Sequence, residues 1–442
     1  MKPRRPRAPL PPGFATIWFS VALDLVGFGL VFPILPIYAK RFHVSSATAT
    51  GLVAAFAAAT FIFSPIWGRV SDRVGRKPIL VLSLAGTAVG SLITGLAGGV
   101  VVLYLGRVVD GISGASVSVA QAAVSDVAAP EERARLFGLL GAAFGIGFVA
   151  GPALGALAAL GGPRLPFYVA AALAGINALV ASRRLPETNP RRATVGGPRP
   201  ANPRGPAAGP DHHRLSDLAE ATEGGEPHLL ADLAETASPP ARARNPLNAL
   251  AGARGVGPLI GVAFGALLAF SGFEATFALF GQRRFGLGIG SSAAVFAVLG
   301  LVIVAVQGAA VHPIVSRFGE VNTLRIGLAA NAMGLVALAF VHSWLALVPA
   351  LLALTVGQGL VQTTMSSALA GRADPGRRGE VLGAQQSAGG LARVLGPLAG
   401  GVLFQQVGLG APYVAGAAVT LAALGLLQTA LRAPGILLPP RP

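Results

Sequence analysis

The chain has 442 residues, of which 53% are hydrophobic and only 12% charged, with a mean hydropathy of +0.66. Soluble domains carry about a quarter charged residues, so lipid is the better solvent for this composition. There are no cysteines, which excludes disulfides and thiolate metal sites. The formal net charge of +16 is spread between apolar runs, not gathered in an aromatic-studded basic domain, and this points to anionic lipid head groups and away from nucleic acid.

A helix needs roughly 20 apolar residues to cross a bilayer. By that measure twelve spans are predicted, at 14–38, 48–67, 79–98, 101–123, 136–160, 165–182, 257–281, 292–314, 323–341, 344–369, 381–404 and 412–431. Lys2, Arg4, Arg5 and Arg7 precede the first span, and Arg69, Arg73, Arg76 and Lys77 fill the second connection. Later even-numbered connections hold Arg133, Arg135, Arg183, Arg184, Arg317, Arg372, Arg377 and Arg378, whereas the odd-numbered ones have little beyond Lys40, Arg41, Arg164, Arg283 and Arg284. The positive-inside rule then predicts that both termini are cytoplasmic. The first apolar run is too long for a signal-peptide core and no small-residue cleavage site follows it, so it is read as a span.

The predicted organisation is a basic tail over 1–13, a six-helix half over 14–184, a cytoplasmic linker over 185–255, a second six-helix half over 256–432, and a tail over 433–442. The linker is rich in Pro, Gly, Arg and Ala, with an acidic island from Leu215 to Glu235. Such polar sequence cannot offset its ordering entropy by burial. An adjacent pair, His212 and His213, has no spaced partners that would make it a metal site. The two halves echo each other: Pro130, Gly138, Gly151 and Pro152 recur as Pro375, Gly383, Gly396 and Pro397, and Gly27, Phe28 and Phe32 as Gly272, Phe273 and Phe277. A weaker echo pairs DRVG, Asp72 to Gly75, with SRFG, Ser316 to Gly319, which lacks the Asp. A parallel repeat of this kind is the architecture of a rocking transporter with its site between the halves.

Two local patterns stand out along the first half. GRVSDRVGRKP, Gly68 to Pro78, reads as a charged hairpin in which Gly68 and Gly75 permit a tight turn and Asp72 can pair with Arg76. In GIGFVAGPALG, Gly147, Gly151 and Gly155 repeat every four residues as one smooth helix face, and Pro152 permits a kink. With its echo in the second half, this face is expected to seal the halves together.

Only 18 residues are Asp or Glu, and seven of them lie between Asp211 and Glu235 in the linker. Asp24, Asp110 and Glu274 alone fall well inside apolar runs, where a charge costs about 2.5–3.5 kcal/mol on insertion scales and normally faces a cavity. Asp24 sits about 15 Å into its span at 1.5 Å per residue, near the midplane, and is read as a proton-titrating or solute-facing group, with a structural hydrogen bond as the other reading. Glu274, beside Phe273 and Phe277, is a second titrating site, a counter-ion for a cation, or a rim carboxylate. Arg107 and Asp110 are three apart on one face, a self-neutralised pair or a switchable one. Phe28, Phe32, Phe273 and Phe277, with Gln121, Gln358 and Gln362 for hydrogen bonds, are candidate lining for a cavity that takes a bulky amphipathic molecule.

GRVSDRVGRKP after the second span, LYLGRVVDGISGAS in the fourth, GIGFVAGPALG in the fifth and DLVGFGLVFPILP in the first resemble the motif set of the major facilitator superfamily. The order Asp24, Gly27, Gly29, Pro33, Pro36 and the run EERARLFG are similar to its twelve-span drug/proton antiporters of the tetracycline-exporting kind. The resemblance implies an all-α membrane protein of twelve helices in two pseudo-symmetric halves, working as a monomer in the inner (cytoplasmic) membrane without a cofactor. It implies a charge relay of Asp72, Arg76 and Asp126 as a cytoplasmic gate, and proton coupling through Arg107. Asp110 stands where that motif commonly has a neutral residue. The expected function is export of a drug-like solute in exchange for protons. The alternatives are an importer or facilitator of a sugar or organic acid and, from another class, a transport-inactive receptor or scaffold. No nucleophile and base pair, clustered metal ligands or phosphate-binding glycine-lysine loop suggests an enzyme or an ATPase.

Overall fold

The computed structural model describes residues 10–128, 132–189, 256–372 and 378–432, and every regular element among them is helical. The first half comprises α1 Phe14–Val31, the short α2 Leu35–Ala39 with a 3-10 turn at Lys40–Phe42, α3 Ser46–Val74, α4 Arg76–Leu96, α5 Val100–Ser113, α6 Ser116–Val127, α7 Arg133–Ala159 and α8 Leu165–Arg184. The second comprises α9 Val256–Phe285, α10 Ile289–Ala305, a π turn at Val306–Ala310, α11 Val311–Phe340, α12 Trp344–Arg372, α13 Arg378–Gln406 and α14 Ala411–Arg432. The tail up to residue 9, the linker from 190 to 255 with His212 and His213, and the tail from 433 lie outside the described residues.

Eleven helical stretches among the described residues are long and apolar enough to span a bilayer, where the sequence predicts twelve. The difference lies in Ile289–Phe340, one run of 52 residues. At 1.5 Å per residue a straight helix of that length would measure about 78 Å, more than twice the hydrocarbon thickness. Its backbone breaks at Gly319, with φ 77° and ψ 164°, between the two spans predicted there. Gly75, which separates α3 from α4, has nearly the same conformation, φ 115° and ψ 156°. Only glycine adopts such angles without strain, so the weak DRVG and SRFG echo marks the same turn in both halves.

Each half is built by the same pairings. In the first, α1 packs on α7 and α8, and α4 on α5 and α8; in the second, α9 packs on α13 and α14, and α11 on α12 and α14. The halves meet along two seams, α3 against α13 and α7 against α10. On the first seam Gly401 lies against Thr50 and Gly390 against Phe61; on the second Gly300 lies against the Phe148 backbone and Gly290 against Ala156. Both run from the end of the bundle opposite the Gly75 hairpin. Across that end the Ala47 N–H donates to Gln405 Oε1 at 3.1 Å and Arg283 Nη2 donates to Ser46 Oγ at 3.3 Å.

Burial first, and the Arg283 guanidinium across the seam second, hold the Lys40 amine below its ordinary range. The closed seam thus holds that proton less tightly than an open one would, and closure gains as pH rises through the lysine range. A chain without native cysteines suits a cross-linking test. A Cβ at Gly401 would lie 3.0 Å from the Thr50 Cβ, just short of the ~3.5–4.5 Å of a disulfide. Thr50→Cys with Gly401→Cys should therefore cross-link on oxidation, and Lys40→Met should raise the yield. Gly138→Cys with Gly383→Cys, at the hairpin end, should not cross-link. The readout is whether the halves stay joined on a non-reducing gel after proteolysis within 190–255.

Candidate functional site

The hairpin between α3 and α4 turns on Gly75 alone. Gly68, expected to share the turn, lies within α3, because the helix continues to Val74. Arg76 opens α4 and gathers three oxygens: Asp72 Oδ1 at 2.5 Å, Asp126 Oδ2 at 2.8 Å and Ser71 Oγ at 2.6 Å. The Asp72 side chain is 57% exposed and that of Asp126 only 18%, so solvent screens the first pair and the second holds Arg76 more strongly.

Glu187 completes the cluster, and sequence reasoning missed it. Its carboxylate accepts the backbone N–H groups of Arg76 at 2.8 Å and Lys77 at 3.3 Å, at the N-terminus of α4, where the helix dipole favours an anion. Asn189 Nδ2 donates to the Asp72 carbonyl at 2.9 Å. Leu185 to Asn189, placed by the sequence at the start of the linker, thus pack on the hairpin, and Leu185, Thr188 and Asn189 are buried. All these partners belong to the first half. The set is formed here while the opposite end of the seams is closed, so it needs no bridge between the halves.

The predicted fourth span is broken. Its backbone leaves helical geometry at Gly114, φ −69° and ψ 40°, and resumes at Ser116. A break at membrane depth frees carbonyls that water cannot satisfy. Here the Gly111 carbonyl accepts from Thr60 Oγ1 at 3.2 Å, the Ile112 carbonyl from Trp67 Nε1 at 2.7 Å, and the Ser113 carbonyl from Ser83 Oγ. The break also brings Ser116 to α1, where its hydroxyl donates to Asp24 Oδ2 at 2.5 Å. Asp24 is half-buried.

Arg107 and Asp110 form a buried ion pair, Nη1 to Oδ2 at 3.0 Å, and Arg107 Nη2 also donates to Thr94 Oγ1 at 3.2 Å. The pair faces α4, since the Asp110 backbone lies against Gly90. This is the arrangement of a self-neutralised pair.

The remaining predicted residues divide. Phe28 and Phe32 are half-buried and stack near Phe56, and Gln121 is half-buried and Gln362 exposed. Phe273 and Phe277, expected to line a cavity, are instead 1% and 0% exposed. Their rings pack with Phe296, and Phe273 also meets Tyr413, as one aromatic core. Gln358 is likewise buried, because its Oε1 accepts from Asn331 Nδ2 between α11 and α12. Gly147, Gly151 and Gly155 do not seal the halves together. Their face lies against Leu25, Gly29 and Leu30 of α1, within the first half, and Gly29 also approaches Pro152. A four-residue repeat covers one helix face only, and the seam with α10 uses another, carrying Gly145 and Ala156.

Glu274 is half-buried on α9 and senses the charge of Arg393 on α13. Arg393 is the second residue missed. It lies within the 381–404 span, and the test for charges in apolar runs finds it once applied to cations as well as carboxylates.

The Major Facilitator Superfamily model matches residues 17–397, and again 311–440. The class C tetracycline resistance protein of Escherichia coli is 32% identical over 389 residues, 86% of each chain. Multidrug resistance protein 2 of Bacillus subtilis (strain 168) is 28% identical over 422 residues, covering 93% of this chain and 94% of its own. Among solved structures, the human organic anion transporter MFSD10 (TETRAN) is 25% identical with a TM-score of 0.64, over 95% of this chain and 100% of that one. The nucleoside transporter NupG reaches 0.69 at 12% identity, over 96% and 100%, a likeness of fold alone.

Removing one member of a buried ion pair leaves the other charge stranded, at a cost of about 3–5 kcal/mol. Arg107→Leu should lower the thermal midpoint of the purified protein sharply, and Arg107→Leu with Asp110→Leu should recover most of the loss. Glu187→Ala should cost about 1.5–3 kcal/mol in the same measurement.

Proposed function

The chain belongs to the Major Facilitator Superfamily, and from that premise we propose that it exports a drug-like, amphipathic solute in exchange for protons by alternating access. The reading is carried by the likeness to tetracycline resistance proteins over 86% of the chain. The multidrug resistance relative supports a solute class broader than one drug. In this reading the protein is a monomer in the cytoplasmic membrane with both termini inside, as the basic even-numbered connections favour.

Two carboxylates carry the exchange. Asp24 exchanges its proton at the break between α5 and α6, where the Ser116 hydroxyl follows its state of charge and the interrupted backbone can adjust. Glu274 is its counterpart in the second half. Arg107 and Asp110 act on Asp24 through their field, since Asp110 lies close enough to repel it. Asp72, Arg76, Asp126 and Glu187 set the rigid hairpin against which the cytoplasmic side opens and closes. Phe28, Phe32, Gln121 and Gln362 line the path of the solute. Membrane potential contributes about 2.3 kcal/mol per charge per 100 mV.

Inverted vesicles test this directly, using proton-driven uptake of tetracycline and a panel of cationic dyes. Uptake should collapse with an uncoupler and fall at least tenfold in Asp24→Asn or Glu274→Gln. Uptake that persists in both variants and ignores the pH gradient would replace exchange with facilitated movement.

A further inference from the structure

The lipid-facing side of α13 is marked by Leu391, Leu395, Leu398 and Val402, all exposed and three or four residues apart. Arg393 points the other way. It shares a face with Gly389, Gly396 and Gly400, the last two of which lie against Gly272 of α9. Arg393 is nevertheless exposed. A residue that is exposed on the inward face of a helix, with protein crowded around its charged end, borders a space inside the molecule.

The opposite wall of that space is α9. From Ala269 to Gly281 every residue is buried except Glu274. Glu274 shares a helix face with Leu267, two turns away. Leu267 and Arg393 both lie beside Gly389: a Cβ there would be 3.2 Å from Leu267 Cδ2 and 3.8 Å from Arg393 Nη1. Glu274 and Arg393 therefore border one space and attract each other across it. Yet among the described residues neither forms an ion pair within 4.0 Å.

Two opposite charges held apart in a membrane-embedded space each lack the contact that offsets their desolvation. A solute with a single charge satisfies one and strands the other, whereas a solute with both charges satisfies the two together. We propose that Glu274 and Arg393 form a two-point site for zwitterionic solutes, with Glu274 holding the cationic group and Arg393 the anionic one. A guanidinium suits the second task, because its fork donates two parallel hydrogen bonds to a carboxylate. This assignment rests on the reading that the chain binds its solute between the halves, and it names the class of that solute.

The test is equilibrium binding to the full chain in lipid nanodiscs, with no gradient applied. Three dansyl amphiphiles of equal length are compared, carrying an ammonium, a carboxylate, or both. The zwitterionic probe should bind at least tenfold more tightly than either singly charged one. Arg393→Gln should abolish the advantage of the zwitterionic probe over the ammonium probe without weakening the ammonium probe, and Arg393→Lys should restore part of the difference. Glu274→Gln should reduce it to that of the carboxylate probe. Equal binding of the ammonium and zwitterionic probes to the unaltered protein would overturn the proposal, even if Arg393→Gln failed to fold. Uniform weakening of all three probes by Arg393→Gln would also overturn it, making Arg393 only an internal counter-ion. Because binding needs no proton gradient, loss of proton-driven uptake with the probe ranking intact would sink the exchange reading alone. Uptake without the ranking would sink the zwitterion site alone.

Discussion

In hydrocarbon no backbone or charged group can be left for water to satisfy, and this chain is organised around the places where it departs from a plain apolar helix. The break between α5 and α6 is the clearest. It persists because three side chains from α3 and α4, Thr60, Trp67 and Ser83, take up the carbonyls it releases. That repair is what turns Ser116 toward Asp24. Backbone N–H groups within the break share this task, Gly114 donating to the Gly111 carbonyl and Ala115 to that of Ser113.

The same constraint separates charges held by an opposite charge from those that are not. Arg107 and Asp110 are paired with each other under cover, and Arg76 is held by Asp72, Asp126 and Ser71. Asp24 has a neutral hydroxyl for a partner, and Glu274 has only the field of Arg393. A carboxylate paired with a fixed cation has little reason to change its protonation, whereas one facing a hydroxyl or an open space can do so at modest cost.

The two halves share their helix pairings but not their chemistry. Gly75 and Gly319 make the same turn, but at the first Arg76 pairs with Asp72 and Asp126 while Glu187 caps α4, and at the second, among the described residues, Glu320 accepts from the Ser367 hydroxyl. Glycine contacts tie α7 to α1 and α13 to α9 within each half, while the seams between halves use other faces of α7 and α13. The packing within each half is therefore independent of the seams between them.

Much of this was legible in the sequence by itself. Apolar runs of membrane length, the glycines of the turns, and the few charges inside those runs are local properties, and they identified the helices, the hairpin with Asp72 and Arg76, and the carboxylates Asp24 and Glu274; Asp126 joined the hairpin only through the family resemblance. Partnership was not legible, because it depends on which helix face meets which neighbour. Gly147, Gly151 and Gly155 formed a visible stripe, but nothing along the chain said that α1, and not the other half, would cover it. Phe273 and Phe277 were visible as aromatics, and only the packing of Phe296 and Tyr413 around them decided that they are core. Glu187 looked like the start of a polar linker until the tertiary fold brought it, 111 residues away in sequence, to the N-terminus of α4. Period and hydropathy determine which segments leave water; the three-dimensional arrangement decides which polar groups then find one another, because that choice is made across space and not along the chain.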